Sequence, residues 1–313
     1  MAVVEARGLA CTYRVGRRGQ PVHAVRGIDL DIGSGEIVGF LGPNGAGKTS
    51  TLRMLTTLLR PTAGTARVAG TDLLGDPAAV RRRIGYVPQG GSTDGGCTVE
   101  EELRFQAAAY RMDRVRTRTR IEAVCEQLDL LDLTHRRAGS LSGGQRRRLD
   151  IALGLLHEPA VLFLDEPTTG LDPHSRANLW DHIRRLRAES GTAVLLCTHY
   201  LDEADALADR ILVMSEGRLI AEDTAENLKT RIAGDIVTLE LDDAELAVPL
   251  LKALPLVREA AALGQETLRL TVNHGGQGLA EVVAALAGRT IHSLQLVPAT
   301  LEEAFLALTN QDA

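Results

Sequence analysis

The sequence predicts an α/β fold in which a mostly parallel sheet carries a helical insertion and is followed by a smaller α+β unit. Short apolar runs typical of buried strands alternate with helix-period segments over the first 223 residues, which indicates strands joined by crossover helices. The pattern then changes, and so does the charge. Of the 313 residues, 35 are basic and 41 acidic, and residues 224–313, with 6 basic and 12 acidic side chains, carry the whole net charge of −6. We therefore expect two domains, 1–223 and 224–313.

The first domain shows two kinds of strand. Val3–Cys11 and His23–Ile32 alternate apolar and polar residues and predict antiparallel strands. Continuous apolar runs predict buried strands of a parallel sheet at 36–41, 160–164 and 192–197. Helical periodicity predicts helices at Lys48–Leu59, Pro173–Ala188 and Leu201–Leu207. Val99–Arg137 is helical throughout, which predicts a helical subdomain at about 98–157 inserted between sheet elements.

The second domain is predicted to be a ferredoxin-like unit. Its strands are expected at Asp235–Leu241, Val257–Leu263, Glu266–Val272 and Thr290–Val297, the second and third forming a hairpin. Helices are expected at Ala244–Leu254 and Gly278–Leu286, with a final helix at Thr300–Leu308. The resulting order, β-α-β-β-α-β, is the ferredoxin-like arrangement.

Composition excludes several classes of protein. No apolar run approaches the roughly 18 residues that span a bilayer, and the first residues lack a signal-peptide layout. The neutral first domain argues against a nucleic-acid partner, so the arginine clusters at 81–83 and 111–120 are interpreted as solvated helix faces. Arg146–Arg148, which continue the signature segment, are expected to face subunits or solvent. Trp180 is interpreted as a packing residue. The four cysteines, which form no C-x-x-C pair, are expected to be reduced: Cys11, Cys97, Cys125 and Cys197.

A phosphate-binding loop is the most specific local motif. Gly-Pro-Asn-Gly-Ala-Gly-Lys-Thr at 42–49 fits G-x-x-x-x-G-K-[ST], follows a buried strand and opens a helix, which disfavours a chance match. Backbone N–H groups and the helix start attract phosphate oxygens, Lys48 reaches the β- and γ-phosphates, and the Thr49 hydroxyl ligates Mg²⁺. The residues expected to contact ATP here are Gly42, Pro43, Asn44, Gly45, Ala46, Gly47, Lys48, Thr49 and Ser50.

Two carboxylates end the apolar run Val161–Leu164. Asp165 is predicted to hold the metal beside the phosphate loop, and Glu166 to polarise the attacking water, because two like charges near a triphosphate need separate roles. The alternative at this point is an acidic strand end that makes surface contacts. A kinase or GTPase with the same phosphate loop also remains open.

A further motif decides against a kinase or GTPase. It is Leu141-Ser-Gly-Gly-Gln145, which lies some 20 residues before the Asp-Glu pair. Together with Asp172 in Gly170-Leu-Asp-Pro and with His199, it makes residues 1–223 resemble the nucleotide-binding subunit of an ABC transporter. The resemblance implies that Tyr13 stacks on adenine, that Gln89 contacts Mg²⁺ and water and links to the membrane subunit, and that His199 contacts the γ-phosphate. It also implies that Ser142, Gly143, Gly144 and Gln145 close on ATP held by a second copy, with Asp172 crossing between the two sites.

The implied assembly is a head-to-tail dimer with ATP at both interfaces, bound at the cytoplasmic face of the membrane to a permease on a separate chain. The acidic C-terminal region, ending Ala299-Thr-Leu-Glu-Glu-Ala-Phe-Leu-Ala-Leu-Thr, resembles that of the drug-resistance (daunorubicin-type) exporter ATPases. We therefore expect an ATPase that powers export of a hydrophobic, drug-like substrate, with 224–313 as a regulatory or dimerisation domain. The alternatives are export of a lipid or polysaccharide precursor, or a soluble ABC ATPase acting on ribosomes or DNA.

Overall fold

The computed structural model describes residues 2–14, 20–273 and 275–310. The chain divides into two compact units, Met1–Glu222 and Asp223–Ala313. Two apolar clusters form the core of the first unit and a third, separate one forms the core of the second. No helix in the described part of the chain is long and apolar enough to span a bilayer.

A six-stranded sheet forms the centre of the first unit. Its strands are β3 (Ile37–Leu41), β6 (Ile84–Val87), β7 (Val161–Asp165), β8 (Ala193–Thr198), β9 (Arg210–Ser215) and β10 (Arg218–Asp223), in the order β10-β9-β3-β8-β7-β6. The pairs β9–β3, β3–β8, β8–β7 and β7–β6 are parallel. Every residue of β3, β7 and β8 is buried, which explains their continuous apolar sequences. Because these strands are parallel, the segments that follow them meet at one edge of the sheet.

A second sheet in this unit contains the two early strands. It consists of β1 (Ala2–Arg14), β2 (Pro21–Gly33), β4 (Ala63–Val68) and β5 (Thr71–Asp72), in the order β2-β1-β4-β5. All its neighbouring strands are antiparallel, as the alternating sequence predicts. The inward residues of β1, among them Val4, Ala6 and Leu9, are fully buried.

The described part of the first unit also has two 3-10 turns, Leu131–Leu133 and Ala138–Ser140, and seven α-helices: α1 (Lys48–Leu55), α2 (Pro77–Arg83), α3 (Val99–Ala109), α4 (Arg114–Gln127), α5 (Gly143–Leu155), α6 (Pro173–Ser190) and α7 (Leu201–Leu207). The helix α1 ends four residues before the predicted Leu59, because Thr57 has a φ of 65°, which a right-handed helix does not accommodate. The helices α3, α4 and α5 pack against one another. The prediction that Val99–Arg137 is helical throughout is wrong at 110–113 and after Gln127, where the chain leaves the α-helix. A capping box between Thr98 and Glu101 starts α3.

The second unit has the β-α-β-β-α-β order that its sequence predicts. It begins with α8 (Ala225–Leu228) and a π-helical turn (Lys229–Ala233), followed by β11 (Asp235–Leu241), α9 (Ala244–Lys252), β12 (Val257–Ala262), β13 (Thr267–Val272), α10 (Gly275–Ala285), β14 (Ile291–Val297) and α11 (Leu301–Asn310). The strand order is β12-β13-β11-β14, and all neighbours are antiparallel. Val237, Leu239 and Leu270 lie among its fully buried core residues.

Candidate functional site

The phosphate loop connects β3 to α1 with almost no spare space. A Cβ on Gly42 would lie 2.3 Å from the Met214 carbonyl oxygen, and one on Gly47 would lie 2.3 Å from that of Ala24. Gly47 also has a φ of 108°, so only glycine suits this position. Pro43, Asn44 and Gly45 are exposed at the tip of the loop. The loop therefore presents its backbone to solvent at the start of a helix, which favours an anion.

Lys48 is 5% exposed and folds back over the phosphate loop. Its Nζ donates to the carbonyl oxygens of Gly42 (2.6 Å) and Pro43 (3.0 Å). Burial lowers the pKa of Lys48, and the nearby acidic groups, including Glu166 and Asp165, partly offset the effect. The ammonium group is thus held within the loop that is predicted to receive phosphate.

Asp165 ends β7 beside the first residues of α1. The Thr49 hydroxyl donates to Asp165 Oδ1 at 3.3 Å, so the two predicted metal ligands are neighbours. Burial raises the pKa of the Asp165 carboxyl, and a bound cation would counter that effect. Within the described residues no group of three or more His, Cys, Asp or Glu side chains forms a metal site. The hydroxyl of Thr49 and the carboxylate of Asp165 are oxygen ligands of the kind that Mg²⁺ prefers, together with phosphate and water oxygens.

Glu166 is the centre of a cluster that brings three predicted catalytic residues together. Its Oε2 accepts from Gln89 Nε2 at 2.6 Å and from the Thr169 hydroxyl at 3.1 Å, and its Oε1 lies 3.2 Å from His199 Nδ1. The Glu166 backbone has a φ of 47°, a left-handed conformation that is uncommon for any residue except glycine. Such outliers cluster at functional sites.

Tyr13 lies near the end of β1 and contacts the phosphate-loop helix. Its hydroxyl is 3.2 Å from the Ser50 Oγ, and the side chain is 38% exposed. An exposed aromatic ring beside a phosphate loop can stack on a base. The structure therefore brings the predicted adenine contact and the predicted phosphate contacts into one region of the first unit.

The signature residues lie at the start of α5. Ser142 caps this helix, because its Oγ accepts from the Gln145 backbone N–H at 3.2 Å while Gln145 Oε1 accepts from the Ser142 N–H at 3.0 Å. Among the described residues we find no hydrogen bond from 142–145 to the phosphate loop of the same chain. The helix start, with exposed Ser142 and Gly143, faces outward from its own chain.

Asp172 caps α6 rather than contacting the phosphate loop. Its Oδ1 accepts from the Ser175 N–H at 3.0 Å and its Oδ2 accepts from the Ser175 hydroxyl at 2.6 Å. These hydrogen bonds lower the pKa of Asp172. Its predicted part in a second site remains a prediction.

The interpretation of Arg146–Arg148 as a solvated or subunit-facing run is wrong for its middle residue. Arg147 is 7% exposed, and its guanidinium donates to the carbonyl oxygens of Pro167, Pro88 and Asp165 at 2.7, 2.8 and 3.0 Å. Burial lowers the pKa of Arg147, opposed by nearby carboxylates, first of all Asp150. Successive helical residues point about 100° apart, so three arginines in a row do not share one environment.

Trp180 packs against the core, as predicted, and also donates from Nε1 to Glu203 Oε1 at 3.2 Å. Glu203, which the sequence pattern does not mark as a site residue, is fully buried, and burial raises the pKa of its carboxyl. Its position three residues after Tyr200, at the end of an acidic first helical turn, gave no signal that it would point inward. The cysteines in the described residues are free, and Cys97 is the one that is partly exposed.

Comparison with known proteins gives consistent results. The ABC transporter family profile matches residues 25–169. A daunorubicin resistance ATP-binding protein of Streptomyces coeruleorubidus is 43% identical over 291 residues, which cover 92% of this chain and 92% of that protein. The doxorubicin resistance ATP-binding protein of Mycobacterium tuberculosis is 40% identical over 99% of this chain and 94% of its own length. Nod factor export ATP-binding protein I of Ralstonia nicotianae is 37% identical over 92% of this chain and 89% of its own length.

Solved structures similar to this chain include the dimer of an ATP-binding cassette in a post-hydrolysis state, bound to ADP and Pi. It has a TM-score of 0.63 and 26% identity and covers 71% of this chain and 98% of its own. CbiO1 from Clostridium perfringens, part of an ABC transporter complex, has a TM-score of 0.65 and 28% identity over 71% of this chain and 88% of its own.

Proposed function

Because this chain belongs to the ATP-binding subunits of ABC transporters, we propose that it hydrolyses ATP to drive export of a hydrophobic, drug-like molecule through a permease on a separate chain. Its assignment as an ATPase subunit of an exporter follows from relatives that match nearly its full length. The proposed cargo class rests on their names. The drug-resistance relatives are 40–43% identical, against 37% for the Nod factor exporter, which favours a drug over that alternative.

The observation that carries the hydrolytic mechanism is the cluster of Gln89, Glu166 and His199. Glu166 is the proposed general base, which takes a proton from the water that attacks the γ-phosphate. Gln89, 2.6 Å from one Glu166 oxygen, orients that water, and His199, 3.2 Å from the other, holds the γ-phosphate. Each carboxylate oxygen therefore has its own partner before the substrate arrives, and this preorganises the base.

Nucleotide binding is assigned to the phosphate loop and Tyr13. Lys48 exchanges its loop carbonyl partners for the β- and γ-phosphate oxygens, and the N–H groups of residues 42–50 supply further donors. Thr49, Asp165 and Gln89 are the proposed protein ligands of Mg²⁺, which, when bound, neutralises charge on the phosphate oxygens. The 3.3 Å separation of the Thr49 hydroxyl and Asp165 Oδ1 supports this pairing.

The proposed active assembly is a head-to-tail dimer of two copies. The outward helix start at Ser142, Gly143, Gly144 and Gln145 offers N–H donors to the γ-phosphate bound by the other copy, with Asp172 at the crossing. A dimeric cassette of the same fold supports this arrangement. ATP then favours the closed dimer because each nucleotide contacts both copies.

We assign the second unit, from about residue 224, to control of dimerisation or turnover, because none of the proposed nucleotide ligands lies in it. The first unit, with its helical subdomain at about 98–157, keeps the catalytic role. The dimer is proposed to sit on the permease at the cytoplasmic face of the membrane. No nucleic-acid partner is proposed, since the first domain carries no net positive charge.

Replacing Glu166 with Gln tests the mechanism and the cargo together. The purified variant should bind ATP with an affinity within about threefold of the wild type, and its steady-state turnover should fall by at least ~100-fold. Cells producing the variant with the cognate permease should retain daunorubicin, whereas wild-type cells should expel it. Phosphate release measures the turnover, and cell-associated drug fluorescence measures the retention of daunorubicin.

Glu126→Gln, on the exposed face of α4, is the matched control and should behave as the wild type in both assays. Wild-type hydrolysis by Glu166→Gln would remove this residue from the base role. If Glu166→Gln loses hydrolysis as expected but cells with the variant and cells with the wild type retain the same amount of daunorubicin, the ATPase assignment stands and a drug cargo is rejected.

A further inference from the structure

Arg146, Arg147 and Arg148 follow the signature on α5 but have three different environments. Arg146 is exposed and donates to the Ala138 carbonyl oxygen at 3.2–3.3 Å. Arg148 is half-buried and donates to the Leu128 carbonyl oxygen at 2.9 Å. Both of these contacts lie within the helical part of the first unit. Of the three, Arg147 is the one that donates to the strand end that carries Asp165 and Glu166.

Two of the Arg147 hydrogen bonds bracket Glu166. Nη2 donates to the Asp165 carbonyl oxygen at 3.0 Å, and Nε donates to that of Pro167 at 2.7 Å. The residue between them has the left-handed backbone with a φ of 47°, which is unfavourable for a glutamate unless its surroundings hold it there. The guanidinium therefore holds the carbonyls on both sides of the strained residue.

The third hydrogen bond reaches the partner of Glu166. Nη1 donates to the carbonyl oxygen of Pro88, the residue before Gln89, at 2.8 Å. One planar group thus fixes the backbone beside both residues of the 2.6 Å Gln89–Glu166 hydrogen bond. Asp150, one turn further along α5, extends the link, because its Oδ1 accepts from the Ser92 N–H and hydroxyl at 2.8 and 2.9 Å.

We propose that Arg147 is a positioning residue that couples the signature helix to the hydrolytic pair Gln89 and Glu166. It contacts neither the nucleotide nor the water and acts through the backbone of residues 88 and 165–167. Because Arg147 lies on α5 five residues after Ser142, any displacement of the helix start is transmitted directly to Glu166. This inference rests on the proposed role of Glu166 as the base.

Lysine keeps the charge but not the geometry, because a single ammonium lacks the rigid fork that donates in three fixed directions. Arg147→Lys should therefore lower kcat by about tenfold or more, since small displacements of reacting groups have large effects on rate. KM for ATP should stay within about twofold, because Lys48 and the phosphate loop receive no hydrogen bond from Arg147. Arg146→Lys and Arg148→Lys are the matched controls and should leave kcat within about twofold of the wild type.

A double substitution separates positioning from a general structural role. If Arg147 acts through Glu166, then Arg147→Lys in a Glu166→Gln background should lower single-turnover hydrolysis by less than about twofold, although it lowers the wild-type rate tenfold. A purely structural effect would multiply the two losses. Arg147→Gln, which also lacks the fork, provides a second variant, and ATP binding verifies that each variant is folded.

The proposal is overturned if kcat of both variants stays within about twofold of the wild type, if the two control substitutions lower it equally, or if the losses multiply in the double variant. Failure of the proposed function has a different signature. In that case Glu166→Gln itself retains turnover, whatever Arg147 does.

Discussion

The two units of this chain differ in what they bury. Among the described residues, every buried lysine, arginine, aspartate or glutamate lies in the first unit: Lys48, Glu102, Arg147, Asp150, Asp165 and Glu203. The core of the second unit, around Val237, Leu239 and Leu270, is apolar. Both units form sheets covered by helices, so the fold itself does not require buried charge.

Buried charges are costly unless they are paired or hydrogen-bonded. In the first unit Lys48, Arg147 and Asp165 all lie within one or two hydrogen bonds of Glu166 or the phosphate loop. These three buried charges therefore lie where the proposed ATP chemistry takes place, and the described part of the second unit has no buried charge to match them. This difference predicts that the units respond differently to substitution and to pH.

Changes in ATP affinity should distinguish the two units most strongly. Lys48→Ala should weaken ATP binding by at least ~100-fold, because it removes the buried cation that is proposed to contact the phosphates. The chain ending at Asp223 should bind ATP within about twofold of the full chain, yet its dimerisation or its regulated turnover should change. Equilibrium nucleotide binding and light scattering measure the two properties.

Two outcomes would contradict this division of roles between the units. One is a loss of ATP affinity on truncation as large as that of Lys48→Ala, which would put nucleotide contacts in the second unit. The other is a truncated chain with unchanged dimerisation and unchanged regulated turnover, which would remove the role proposed for that unit.

A smaller effect follows from His157 in the first unit. Its ring stacks on Tyr110 with centroids 3.8 Å apart, and its Nε2 donates to the Ile84 carbonyl oxygen at 2.9 Å. Burial lowers its pKa from 6.5 to about 4. The unfolded chain therefore takes up a proton that the folded chain does not, and stability should fall by about 3 kcal/mol as the pH drops from 6.5 to 4.

Urea unfolding at pH 7 and pH 5 should show about 2 kcal/mol of this loss. His157→Gln should reduce the difference between the two pH values, whatever its effect on stability at pH 7. An unchanged pH dependence in that variant would assign the acid sensitivity to other groups.

The smallest effect has the opposite sign and lies in the second unit. His292 is exposed, and its Nε2 lies 3.0 Å from Asp242 Oδ1, which raises the pKa of His292 above 6.5. Its contribution to stability is therefore present below pH 6.5 and is lost as the pH rises through the folded-state pKa. NMR titration of the imidazole should give a midpoint above 6.5 that Asp242→Asn moves downward, and a midpoint unaffected by that change would contradict the pairing.

The sequence predicted the features that depend on local chemistry. Strands β3, β7 and β8 were predictable because strands buried on both faces are continuously apolar. The phosphate loop was predictable because Gly42 and Gly47 meet steric limits that only glycine satisfies. The early end of α1 was not, since it depends on the conformation of a single threonine, Thr57.

The environment of Arg147 was not predictable from its neighbours in sequence. Its acceptors, the carbonyl oxygens of Pro88, Asp165 and Pro167, are 59, 18 and 20 residues away. A helical plot would have separated Arg147 from Arg146 and Arg148 and put it on the face of Asp150 and Ile151. It would not have identified what that face covers.

The capping box at the start of α5 explains why a hydroxyl stands at position 142. The Ser142 oxygen accepts from the Gln145 N–H, which leaves its own proton available as a donor. In the proposed dimer the same hydroxyl caps its helix and donates to the γ-phosphate of the other copy, so closure sacrifices no existing hydrogen bond. Aspartate would cap the helix equally well but repel the phosphate, and glycine would leave the helix without a side-chain cap.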